Sequence, residues 1–328
     1  MNILVVGTGS IGTRHIKNIL SLGHKVGIYS YRNKKVELDD FQNIIYESDL
    51  NKAIKSSLYD AVVIANKNTD HISVAINAAK NNKHLYIEKP LSNSLEGIEE
   101  LKNISLIKNL KVETGYMMRM HPNIQAIKSF INSGRLGEIF NLSFSIGYWL
   151  PYWRPGTNYL KSYSAKKNEG GGVIFDLIHE LDLLNYFLED IDEVFAMTKN
   201  VGVLNIETES VAEVLIRTKK DIIARIHLNY TQPLYKREIE IVGNHGSIFW
   251  DYNKGKVEFY NKKLEKLEII HSVDSDFKRN DMFIDYMKFF IKNLDNNKSI
   301  SDLDNGEKSL KIALAVHKSA LDKQLIKL

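Results

Sequence analysis

Along the first third of the chain, short apolar runs alternate with stretches of helical periodicity. Residues 3–6 read as a buried strand and 11–22 as a helix, followed by strands at 25–31 and 44–46 and a helix capped by Ser48. Strands at 60–65, 84–87 and 111–116 follow, with one helix over 71–82 and another opened by Ser94, which has Glu96 in its first turn. Strict alternation of strand and helix predicts right-handed crossovers and a parallel sheet.

Past about residue 120 the pattern changes. Pro122 opens a helix that runs to about Ser133. Phe140, Leu142, Phe144, Ile146 and Tyr148 then alternate with polar or small residues, and Ile222, Ala224, Ile226, Leu228 and Tyr230 do the same. A period of two means strands with one buried face. Further strands are expected near 192–200, 210–217, 237–242, 247–251 and 256–260, with helices over 174–188, 279–293 and 305–325. The predicted architecture is an α/β domain over 1–119 joined directly to an α+β domain over 120–328, the latter with a largely antiparallel sheet.

Composition narrows this picture mostly by exclusion. A chain of 328 residues suggests two domains, and 44% hydrophobic with 26% charged residues is ordinary for a globular protein. A net charge of +4 over this length is too weak to point to nucleic acid or a membrane surface. The absence of cysteine excludes disulfides, thiolate metal sites and cysteine nucleophiles, and it fits a reducing cytosol. The start reaches Gly7 through four apolar residues without a basic stretch, so it reads as a strand and not a signal peptide. No apolar run approaches the ~18 residues of a membrane span. A cytoplasmic location is expected.

The first candidate chemistry is Gly7-Thr8-Gly9-Ser10-Ile11-Gly12, between the first strand and the first helix. One glycine makes the tight turn, the second lets a pyrophosphate approach the backbone, and the third lets helix and strand pack closely. The helix N-terminus then offers unpaired N–H groups to phosphate. In this strand–turn–helix setting the motif predicts a Rossmann domain binding NAD or NADP. The end of the second strand lacks the carboxylate that usually holds the ribose diol. It carries Ser30 and Arg32 instead, a hydroxyl and a fork suited to a 2′-phosphate, which favours NADP over NAD.

Other candidates fall at the carboxyl ends of the later strands, where open α/β sheets bind ligands. Asn66 and Asn68 are expected to face the nicotinamide half of the cofactor, with His71 just beyond. Glu88-Lys89-Pro90 ends the fifth strand, where Glu88 and Lys89 are expected to face the cofactor; Lys89 can also hydrogen-bond a substrate hydroxyl, and Pro90 tolerates a cis bond. Tyr116 and Arg119 close the sixth strand and are expected to reach substrate. In the second domain, three glycines (170–172) precede a helix on which Asp176, His179 and Asp182 recur every three residues near one face. A histidine among carboxylates suits general base work near neutral pH, with Asp176 or Asp182 orienting its ring. No second histidine sits three or four residues away, so no metal site is predicted. Trp153, Arg154 and Tyr163 belong to an aromatic, basic stretch that suits a sugar face and an anionic group. Each feature also has a structural explanation when taken singly.

Together these residues resemble the Gfo/Idh/MocA oxidoreductase family. The resemblance rests on the glycine loop, the asparagine loop with His71, Glu88-Lys89-Pro90, Gly115-Tyr116-x-x-Arg119 and the glycine-led Asp/His helix. Residues 239–243 and 246–248 and the closing helix through Ala313, Ala315 and Ser319 are similar too. The resemblance implies a Rossmann domain plus an open-faced sheet domain, homodimer or homotetramer contacts, and a catalytic Lys, Asp and His matching Lys89, Asp176 and His179. One departure is plain: the family's Asp lies four residues before its His, and here the gap is three. The implied reaction is hydride transfer between NAD(P) and a hydroxyl or keto carbon of a sugar, inositol or nucleotide sugar, with surface-polysaccharide sugar biosynthesis as one setting. Two rivals are a cofactor-binding regulator without turnover and an NAD-retaining glycoside hydrolase.

Overall fold

The computed structural model describes residues 1–31, 36, 44–296 and 298–328. It begins with β1 (Asn2–Val6), α1 (Ser10–Ser21), β2 (Lys25–Tyr29), β3 (Ile44–Glu47), α2 (Leu50–Lys55), β4 (Ala61–Ile64), α3 (His71–Lys80), β5 (His84–Ile87), α4 (Ile98–Ile107) and β6 (Val112–Thr114). The chain continues through α5 (Pro122–Asn132), β7 (Ile139–Gly147), α6 (Val173–Asp176), α7 (His179–Leu188), β8 (Ile191–Lys199), β9 (Val211–Thr218), β10 (Ile223–Asn229), β11 (Lys236–Gly243) and β12 (Gly246–Asp251). It closes with β13 (Lys256–Asn261), β14 (Lys266–Ser272), α8 (Arg279–Lys292), α9 (Leu303–Asp322) and β15 (Ile326–Lys327).

Two compact units result. The first holds residues 1–117 and 278–310, the second 118–277 and 311–328. The expected division at 119/120 therefore omits a return of the chain. Residues 278–310 group with the first unit because α8 turns Phe283 toward His15 of α1, and Tyr286 and Phe290 toward Tyr86 of β5, at ring separations of 6.1, 5.2 and 5.7 Å.

In the first unit the strand order is β3-β2-β1-β4-β5-β6, all parallel, the order of a dinucleotide-binding sheet. Ile3 to Val6 and Ala61 to Ile64 are wholly buried, as strands covered on both faces must be. Two helix starts differ from expectation. Asp49, not Ser48, caps α2 by accepting from the Lys52 N–H at 3.0 Å. The helix expected from Ser94 begins at Ile98, because the chain first turns through Gly97 in a left-handed conformation (φ 77°).

In the second unit nine described strands run β14-β13-β12-β11-β7-β10-β9-β8-β15. Neighbours are antiparallel except β7 and β10, which pair in parallel. Leu142, Phe144, Ile146, Ala224, Ile226 and Leu228 point into the core, as their alternation requires. Phe140, at the start of β7, is exposed instead. β14 has no buried residue, so no alternation marks it in the sequence. Among the described residues no helix is long and apolar enough to cross a membrane.

Candidate active site

In the first unit the glycine loop is shaped from both sides. Gly7 has φ 108°, and a Cβ there would stand 2.5 Å from the carbonyl oxygen of Ala65 at the end of β4. A Cβ on Gly12 would collide with the Gly7 carbonyl, so α1 can start this close to β1 only on glycine. Gly9 differs: nothing lies within 4 Å of where its Cβ would be, and it caps α1 with no side-chain acceptor. The first N–H groups of α1 therefore open onto an uncrowded backbone with no acidic residue in the first turn. This cradle fits the pyrophosphate of a dinucleotide. The hydroxyls of Thr8 and Ser30 bond each other at 2.7 Å, tying the loop to the end of β2. Arg32 lies outside the described residues.

The Glu-Lys-Pro turn is held from three directions. His15, fully buried on α1, brings Nε2 to 2.6 Å from Oε1 of the buried Glu88. The other carboxylate oxygen of Glu88 accepts from the Lys89 N–H at 3.2 Å. A Cβ on Gly115 would stand 3.0 Å from the Glu88 carboxylate, so glycine there leaves the carboxylate its room. On the far side, His71 Nδ1 lies 3.0 Å from the carbonyl oxygen of Pro90. Burial lowers the His71 pKa, so the ring is neutral, and since a carbonyl only accepts, its proton sits on Nδ1. The Lys89–Pro90 peptide is cis, and the Lys89 side chain is half-buried. Nearby, the Asn66 amide donates to the Tyr31 hydroxyl at 3.4 Å, while Asn68 is buried in a single 3₁₀ turn that leads into α3. Tyr116 is fully buried.

In the second unit the helix expected over 174–188 is broken. α6 ends at Asp176 and α7 starts at His179, so Asp176 and His179 flank a break at Leu177–Ile178 and do not share one continuous helix face. The carboxylates that follow His179 on α7 are spent on arginines. Asp182 takes a two-pronged bond from Arg119, at 2.9 Å from Nε and 2.8 Å from Nη2, and Glu180 accepts from Arg237 Nε at 2.7 Å. All four side chains are buried. Arg119, expected at the substrate, thus gives two of its N–H groups to Asp182.

Asp176 is held differently. The hydroxyl of the fully buried Tyr230 donates to its Oδ2 at 2.6 Å. The Tyr163 hydroxyl also bonds Asp176, and Arg154 bonds Tyr163 and lies over its ring, 5.3 Å from the centroid. Burial first, and the Asp176 charge second, push both phenols well above their ordinary pKa. Trp153 meets the Tyr230 ring edge-on at 5.2 Å and donates its indole N–H to the Tyr148 carbonyl at 3.1 Å. Two of the three glycines before α6 serve packing. A Cβ on Gly171 would run into the Tyr163 carbonyl, and one on Gly172 (φ 119°) into the Glu209 carboxylate. Glu209 accepts from the Ile174 N–H at 3.2 Å, holding the first turn of α6, and burial raises its pKa to about 7.

Sequence reasoning therefore finds Trp153, Arg154, Tyr163 and Asp176, and the fold brings them together. It misses His15, Tyr230, Glu209 and Arg237. Two of these carry a signal. His15 interrupts the inward stripe of Gly12, Ile16 and Ile19 on α1, and Tyr230 ends the buried-face alternation of β10. A polar atom carried to a buried position must find a partner. Glu209 lies in a segment with no periodicity.

An NAD-binding Rossmann-fold model of an oxidoreductase family matches residues 1–116, and the GFO/IDH/MocA C-terminal domain matches residues 124–249. The chain is 25% identical to a myo-inositol 2-dehydrogenase of Thermotoga maritima, over 100% of this chain and 98% of that protein. In fold it is similar to a levoglucosan dehydrogenase in complex with NADH and levoglucosan, with TM-score 0.87 and 18% identity over 100% of this chain and 99% of that one. It is also similar to a scyllo-inositol dehydrogenase of Lactobacillus casei with bound NAD(H) and scyllo-inositol, with TM-score 0.80 and 22% identity over 100% of this chain and 98% of that one.

Proposed function

The chain belongs to the Gfo/Idh/MocA family of NAD-binding oxidoreductases, and from that premise we propose that it oxidises or reduces a hydroxyl or keto carbon of a sugar, inositol or nucleotide sugar. Gly7, Thr8, Gly9, Ser10, Ile11 and Gly12 hold the pyrophosphate, and Asn66, Asn68 and His71 lie on the nicotinamide side. The bound dinucleotide supplies the two-electron carrier. His179 takes the proton of the substrate hydroxyl in oxidation and returns it in reduction. Lys89 donates a hydrogen bond to that same oxygen, and Asp176 stabilises the charged imidazole. Trp153, Arg154 and Tyr163 contact the substrate. The observation that carries this reading is the hold on Asp176: it is bonded by phenols, while Glu180 and Asp182 are each bonded by an arginine.

NADP is the favoured dinucleotide, because the end of β2 carries Ser30 and Arg32 in place of a carboxylate. The open face of the nine-stranded sheet, with Leu215, Ile223 and Phe249 exposed on it, is the surface for a homodimer or homotetramer in the cytoplasm. Purified protein screened with NAD⁺ and NADP⁺ against sugars, inositols and nucleotide sugars should reduce dinucleotide with at least one of them. Tight dinucleotide binding without turnover of any would leave a regulator, and sugar release with the cofactor retained would leave a hydrolase.

A further inference from the structure

We propose that Tyr230 is a positioning residue that sets Asp176 and the aromatic loop of residues 148–155 together, so that the carboxylate is aimed only when the loop is seated. The inference rests on the reading of Asp176 given above.

Tyr230 sits just past the end of β10 and uses every part of itself. Its N–H donates to the Ser210 carbonyl at 2.8 Å, which anchors it against the start of β9. Its carbonyl accepts from the Leu150 N–H at 3.0 Å, where the loop turns over after β7. Its ring takes the edge of Trp153 at 5.2 Å, with the planes 89° apart. Its hydroxyl reaches Asp176 Oδ2 at 2.6 Å. The ring is fully buried against Trp153, so the phenol cannot swing away from Asp176 without leaving that ring contact, while the main-chain bonds fix where the residue starts from and tie it to the Leu150 turn. The second phenol on Asp176 has the same character. Tyr163 is bonded by Arg154, from the same loop as Trp153. Asp176 therefore receives both of these hydrogen bonds from residues that also touch the aromatic loop, and a ligand that shifts Trp153 or Arg154 shifts the donors on Asp176.

A double-mutant cycle with Tyr230→Phe and Asp176→Asn tests this, since Phe removes one oxygen and keeps the ring against Trp153. The probes are NADH and NADPH, each titrated by fluorescence for cofactor affinity, and for turnover the panel polyol that the unaltered protein oxidises fastest. Tyr230→Phe should lower kcat about 10- to 100-fold and leave both affinities within about twofold. In the Asp176→Asn background the same change should cost less than about twofold, because the two residues act as one unit. A Tyr230→Phe protein with unaltered kcat, or an equal fold-loss in both backgrounds, overturns the coupling. Full activity of Asp176→Asn alone is a separate result and removes the role of Asp176 itself.

Discussion

Glu88 and Asp176 are both buried carboxylates next to histidine-bearing helices, and they are held in opposite ways. Glu88 meets a histidine on α1 and its neighbour's backbone N–H, in a space that Gly115 leaves just large enough. Asp176 meets two phenols whose pKa lies far above neutrality. A phenol donates a strong hydrogen bond without bringing a positive charge, so it aims a carboxylate while leaving its field in a low-dielectric interior available to another cation. The Glu88 arrangement fixes a shape. The Asp176 arrangement holds a charge in readiness. The arginines on Glu180 and Asp182 sharpen the contrast, since each sets a full positive charge against a buried carboxylate.

The largest effect expected from this contrast is on rate. His179→Ala should lower kcat by about 10²- to 10⁴-fold, the range for losing a general base, with dinucleotide affinity nearly unchanged. Steady-state kinetics beside an NADH titration checks it, and wild-type turnover would remove His179 from the reaction. Next in size, Glu88→Ala should destabilise the protein by about 2–5 kcal/mol, because it takes the acceptor from both the buried His15 nitrogen and the Lys89 N–H. Urea unfolding measures this; full stability with only dinucleotide affinity lost would make Glu88 a cofactor ligand and end the comparison.

Gly9→Ala should weaken dinucleotide binding about tenfold or more while the melting temperature of the unliganded protein stays put, since its Cβ would meet no protein atom. An unchanged affinity would show that the pyrophosphate does not lie over Gly9. The most gradual effect concerns Glu209. Burial raises its folded pKa to about 7, above the ordinary 4.5. A raised acid gives stability that is fully present below its unfolded pKa and lost as pH climbs through the folded one. Relative to Glu209→Gln, the unaltered protein should thus lose on the order of 2–3 kcal/mol between about pH 4.5 and 7. Thermal melts of both proteins over that range check it, and parallel curves would show that Glu209 ionises freely.

Much of this was legible from local pattern alone. Buried runs punctuated by glycine give the parallel sheet, alternation gives β7 and β10, and a motif tied to one strand end gives the cofactor loop. These signals survive because each depends on neighbours a few residues apart, whose spacing the chain itself carries. The break between Asp176 and His179 is another matter. A three-residue gap reads as one helix face, and only the fold shows α6 ending at Asp176, with Tyr230 bonded to that carboxylate and Glu209 to the first turn. The same holds for Arg119, whose position at a strand end suggested substrate until Asp182 took its guanidinium.

By itself, then, the order of residues determined the two kinds of sheet and the glycine loop between β1 and α1. Which carboxylate is bonded by arginine and which by tyrosine was decided only by the folded chain. The physical reason is range: a hydrogen bond between residues 54 apart, such as Tyr230 to Asp176, leaves no mark on the spacing of either.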